Sequence, residues 1–251
     1  MPTLGDAILF IDGLGSSSSR ISTRFMGRES EYVPWLPSVP AQLTQSEERC
    51  GFSYARPGKH YGPRTTNIPL DGRGRVLFRR YAPTLGRRTT YVAFSFGCPL
   101  TVLGLGEAMT TPISPGTVVS EETCPTVVLV QPAFALTSLY LESARATEAR
   151  HTPTPLRQYL RSQARLWAEQ LAVIGDLTTR RVRVVIVYWR GDRVLSFDDE
   201  MIAQLQAKGA ITDEQEVIFP AGLDPFQEHC MVRSHDVITK RIFYYLQGSQ
   251  V

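Results

Sequence analysis

Short unbroken apolar runs recur along the chain, each closed by a glycine, a proline or a polar turn. They are Ala7 to Ile11, Cys50 to Ala55, Thr89 to Phe94, Thr126 to Val130, Val182 to Tyr188 and Glu216 to Phe219. Runs of four to seven apolar residues predict strands covered on both faces, the condition found inside a parallel sheet. Between them the spacing turns helical. Leu156, Leu160, Trp167, Leu171 and Ile174 fall on one face of a helix over 156–177, with charges opposite. A helix continues from Leu100 to Leu105, another runs from Phe197 to Ala207 behind a Ser196 cap, and the last covers Ser234 to Leu246. Asp198, Asp199 and Glu200 suit the first turn of the third of these through its dipole.

Other stretches break the pattern. Pro34, Pro37 and Pro40 punctuate 20–49, a Gly/Pro/Arg/Thr-rich loop covers 56–75, and Arg75 to Tyr81 forms a short helix before Pro83. Residues 109–125 read as loop, and 133–155 as either a small lid or an ordinary helical connection. Strands alternating with helices predict an α/β fold, a mostly parallel sheet with helices on both faces, in one domain over 1–251.

Composition adds bounds. The 251 residues, 43% of them hydrophobic, suffice for one large core. A net charge of +3 with scattered arginine pairs argues against nucleic acid as a partner. No apolar run approaches the ~20 residues that span a bilayer. No leader is visible at the amino terminus, and Cys50, Cys98, Cys124 and Cys230 lack metal-ligand spacing. The expectation is a cytoplasmic protein with free thiols and neither metal nor cofactor.

In parallel sheets, sites form at the carboxyl ends of strands. Four features fall there. Gly13-Leu14-Gly15 follows the first strand and presents backbone N–H groups, without the Lys-Ser/Thr of a P-loop or the third glycine of a dinucleotide fingerprint. Ser95 ends the third run between the small residues Ala93 and Gly97, which allow a strand to turn sharply into a helix. Asp192 lies four residues past Tyr188, and His229 falls in the loop after the last strand, nine residues past Pro220. A serine hydroxyl is a poor nucleophile until an imidazole takes its proton, and the imidazole needs a carboxylate to fix its tautomer. His235, beside Ser234, stays an alternative base, and Asp224 and Glu228 alternative acids.

The turn Ala93-Phe94-Ser95-Phe96-Gly97 resembles the nucleophile elbow of the α/β-hydrolase family, with Ala93 where that family usually has glycine. The order Ser95, Asp192, His229 is also the family's, and the likeness extends over 7–247, beginning at the family's third strand. It implies an oxyanion hole from the backbone N–H of Phe96 and of Gly13 or Leu14, although Asp12 stands where the family usually has histidine. It further implies a serine hydrolase that forms an acyl-enzyme. Phe94, Trp189 and Phe226 would bind the apolar acyl or aryl part of a small-molecule ester or thioester. Acyl transfer by the same residues, or a non-catalytic binding protein on this fold, are the alternatives.

Overall fold

The computed structural model describes residues 7–11, 51–55, 89–95, 97–110, 118–134, 163–233 and 235–247. Within these residues six strands pair into one sheet: β1 (Ala7–Ile11), β2 (Gly51–Ala55), β3 (Thr89–Phe94), β4 (Thr126–Val130), β5 (Arg183–Tyr188) and β6 (Ile211–Glu214). Their order is β2-β1-β3-β4-β5-β6, and every pairing is parallel. The chain steps outward from β1 to β2, then crosses back to β3 and continues the other way. The place where growth reverses, between β1 and β3, is where open parallel sheets leave a crevice.

β3, β4 and β5 are buried on both sides, which explains why their sequences show no polar alternation. Tyr91, Ala93, Val127, Leu129, Val184 and Ile186 enter one apolar cluster, shared with α1 (Gly97–Thr110), α2 (Gln163–Thr179) and α3 (Asp199–Ala207). Val92, Phe94, Val128, Val130, Val185 and Val187 enter the other, with Val232 and residues of α5 (Asp236–Gln247). α4 (Pro225–Val232) contributes that valine. Helices therefore cover both faces, as the pattern of runs predicts. No helix among the described residues is long and apolar enough to cross a membrane.

Two expectations are corrected. The last strand is Ile211–Glu214, not Glu216 to Phe219. An edge strand has one neighbour and needs little hydrophobicity. Its polar residues are used instead: Glu214 accepts from Tyr188 Oη at 3.0 Å and Arg190 Nε at 2.8 Å, and Asp213 accepts from Arg241 Nε at 2.7 Å. The stretch after it misleads because Val217 is buried and Ile218 is 77% exposed, an in–out alternation without strand pairing. The cap of α3 is Asp198, whose Oδ1 accepts the Met201 N–H at 2.7 Å; Ser196 lies two residues too early and is exposed.

Smaller differences are at helix ends. α1 extends through Thr110 into the predicted loop, and α5 starts at Asp236. The expected helix over 75–81, the segments 20–49 and 56–75, the start of the 156–177 helix and the lid beyond Phe134 lie outside the described residues.

α1 is apolar nearly all round because it is enclosed between the sheet and α2. The closest approach is at Gly106, where an added Cβ would sit 2.5 Å from Val173 Cγ2. Gly106→Ala should therefore lower unfolding free energy by about 1–3 kcal/mol through overpacking, measured by urea denaturation at unchanged m-value.

Candidate active site

The carboxyl ends of the central strands lie level. Phe94 pairs with Val130, and Val130 with Val187. The next residue along β3 is Ser95, which turns into the left-handed region at φ 51°. For a non-glycine residue that conformation costs about 1–2 kcal/mol. Three backbone bonds hold it: Ser95 N–H donates to the Val130 carbonyl at 2.9 Å, and its own carbonyl accepts from Cys98 N and Ala133 N at 3.1 Å each. Gly97 starts α1 two residues later, so the amide-rich, partly positive end of that helix lies beside the serine.

Ser95 Oγ lies 2.8 Å from Nε2 of His229, and Nδ1 of the same ring lies 2.6 Å from Asp192 Oδ2. All three residues are buried or nearly so. Asp192 sits in the turn after β5, where its Oδ1 accepts the N–H groups of Val194 at 2.8 Å and Leu195 at 3.1 Å. With that oxygen engaged twice, Oδ2 is the one presented to the imidazole. The bond from Oδ2 selects the tautomer with the proton on Nδ1, leaving Nε2 able to accept from the serine.

His229 occupies α4 and not the loop expected after the last strand. A reciprocal cap starts that helix. Asp224 Oδ1 accepts the Gln227 N–H at 2.9 Å, Gln227 Oε1 accepts the Asp224 N–H at 3.0 Å, and Pro225 stands at the first helical position. Asp224, weighed as an acid, is thus a cap, and Glu228 pairs with Arg193 at 2.9 Å. His235 sits at the start of α5, its Nδ1 accepting from Val237 N at 3.4 Å and its ring edge-on to Phe219. It is His229 that the fold brings to Ser95.

The aromatic neighbours are placed unequally. Phe94 is 2% exposed and stacks on the His229 ring at 5.2 Å, so it supports the imidazole and has almost no surface left for a ligand. Trp189 is half-buried and meets Phe219 edge-on at 5.2 Å. Phe96, Gly13, Leu14 and Asp12, together with the side chain of Phe226, lie outside the described residues.

A thiol stands close by in sequence. Burial pushes the Cys98 thiol well above its usual range, and its S–H donates to the Val130 carbonyl at 3.5 Å. A thiol kept neutral is unreactive. Among the described residues no cluster of His, Cys, Asp and Glu is arranged to hold a metal ion.

No family model matches the chain, and no curated protein matches it in sequence. Similar solved structures include the ydeN gene product from B. subtilis, at 14% identity and TM-score 0.47, covering 96% of this chain and 98% of that one. The monoacylglycerol lipase of Paleococcus ferrophilus is similar at 13% identity and TM-score 0.48, over 96% and 93%. A soluble variant of monoglyceride lipase from Saccharomyces cerevisiae follows at 10% identity and TM-score 0.49, over 96% and 86%.

One residue of the acid-bearing turn is sterically restricted. A Cβ on Gly191 would lie 2.3 Å from Cε2 of the Trp189 indole, itself packed on Phe219. Gly191→Ala should displace the indole, seen as a shift of the Trp189 Nε1–H resonance, and cost about 1–3 kcal/mol of stability.

Proposed function

We propose that this chain is a serine hydrolase of the α/β-hydrolase family, acting on a carboxylic ester or thioester with an apolar acyl or aryl group. The observation that carries the reading is the unbroken path from Ser95 Oγ through His229 to Asp192, at 2.8 Å and 2.6 Å, starting from a serine in the left-handed turn between a strand and a helix.

In this reading Ser95 Oγ attacks the acyl carbonyl as its proton passes to His229 Nε2. The imidazolium, stabilised by Asp192 through Nδ1–H, returns that proton to the leaving alcohol or thiol. Water then attacks the acyl carbonyl as it gives a proton to Nε2, and Nε2 passes that proton to Ser95 Oγ as the acyl–oxygen bond breaks and the acid leaves. The amide-rich start of α1 favours the negative charge that develops on the carbonyl oxygen. The backbone N–H of Phe96, with Gly13 or Leu14, would complete the oxyanion hole. Half-buried Trp189 of the acid-bearing turn, with Phe219 packed on it, suits an apolar substrate over a charged one.

A fluorophosphonate probe tests this directly. Wild type should be labelled on Ser95, Ser95→Ala and His229→Ala should not, and Asp192→Asn should be labelled about 10⁴-fold more slowly because the amide favours the wrong tautomer. A folded wild type that resists the probe would return the chain to the non-catalytic class. Release of free acid, set against transfer to an added alcohol, separates hydrolysis from acyl transfer.

A further inference from the structure

The structure assigns Gln131 as a positioning residue: its side-chain amide, clamped across Trp189, holds the acid-bearing turn at a fixed place relative to the serine. The assignment rests on the hydrolase reading above for its role, and on geometry for the clamp.

Gln131 is the first residue past β4, fully buried, and its backbone lies in the left-handed region at φ 46°. That conformation is disfavoured for glutamine, and glycine or asparagine would adopt it more cheaply. Its backbone N–H still bonds the Val187 carbonyl at 2.8 Å. The side chain then reaches sideways: Nε2 donates to the Trp189 carbonyl at 3.1 Å, and Oε1 accepts the Trp189 N–H at 2.8 Å. One amide thereby satisfies both polar groups of a backbone residue beyond the end of β5, as a neighbouring strand would.

Trp189 begins the turn that carries Asp192, and its carbonyl also accepts the Asp192 N–H at 3.4 Å. On the other side, the Gln131 segment grips the serine, since Val130 O accepts from Ser95 N and Ala133 N donates to Ser95 O. The bonds close into a ring: Ser95 to β4 and its turn, Gln131 to Trp189, Trp189 to Asp192, Asp192 to His229, and His229 back to Ser95. Within this ring, Gln131 is the side chain that spans from the end of β4 to the turn after β5. It touches no reacting atom and acts through Trp189 and Asp192.

Gln131→Met tests the clamp, because methionine matches the length, bears the same backbone cost and makes no equivalent bonds. The full chain should keep its circular dichroism. The downfield proton resonance of His229 Nδ1–H should move upfield or broaden away, and fluorophosphonate labelling should slow about tenfold or more. A variant with lower thermal stability but unchanged resonance and labelling rate would make Gln131 merely structural and overturn the assignment. If Gln131→Met does not fold, Gln131→Asn tolerates the left-handed backbone yet is one methylene too short; the same two losses are expected, and their absence overturns the proposal. In wild type, the Trp189 N–H should exchange with deuterium as slowly as the amides of β5, and rapid exchange would equally overturn it. A wild type that resists the probe removes the hydrolase reading, while the His229 resonance still decides whether Gln131 sets the Asp192 to His229 bond.

Discussion

Parallel pairing in strict register is the constraint from which the site follows. Because Phe94, Val130 and Val187 lie level, the chain leaves three adjacent strands along one line. The residues leaving β3 and β4 keep a backbone N–H bond to the next strand, Ser95 to Val130 and Gln131 to Val187, as Gln215 beyond β6 does to Tyr188, while Trp189 beyond β5 gives its N–H to the Gln131 side chain. The ladder thus runs one step beyond the strands and anchors the turns that follow. Ser95 and Gln131 both take left-handed backbone there, and the turn after β5 delivers Asp192 to the same edge. A slip of one residue in any pairing would exchange the two faces of that strand and aim these side chains elsewhere.

The two faces divide the labour. α1, α2 and α3 pack one side, where Val102, Ile174 and Leu205 join the strand residues in one apolar cluster. The other side holds α4 and α5, with Val232 and Ile238 against Val92, Val128 and Val185. The imidazole comes from this second side and rests on Phe94, the residue just before the serine. Arg193 to Glu228 runs beside Asp192 to His229, joining consecutive residues of the same turn to consecutive residues of the same helix. Exposed as Arg193 is, the outer pair contributes little energy of its own, and the buried bond dominates.

How much of this could be read in the sequence depends on where apolar burial dictates structure. β1, β3 and β4 have the bounds that their apolar runs indicate, and β3 and β4 are buried on both faces, where polar alternation is not needed. The edge strand could not be found that way, because Ile211-Thr212-Asp213-Glu214 is stabilised by ion pairs to Arg190 and Arg241 formed across the fold. The helical setting of His229 is legible in principle, because Asp224-Pro225 followed by Gln227 is a helix start signal. Gln131 gives no sequence signal. A lone glutamine after a strand reads as a surface turn, and only the left-handed backbone reveals that its amide replaces a strand partner. Ser95, Asp192 and His229 stand out for the opposite reason, as residue types that acyl chemistry requires together.

The contact between Ser95 and His229 joins residues 134 positions apart. A polypeptide emerging from its amino terminus presents the serine early, with its elbow and first helices, but no base until α4 has been made and docked. Such long-range closure comes late in assembly. An unassisted serine hydroxyl is unreactive, so on the proposed reading a half-synthesised or half-folded chain is chemically silent. Reactivity at Ser95 would then mark a molecule that has finished folding, and covalent capture would count native copies without counting their precursors.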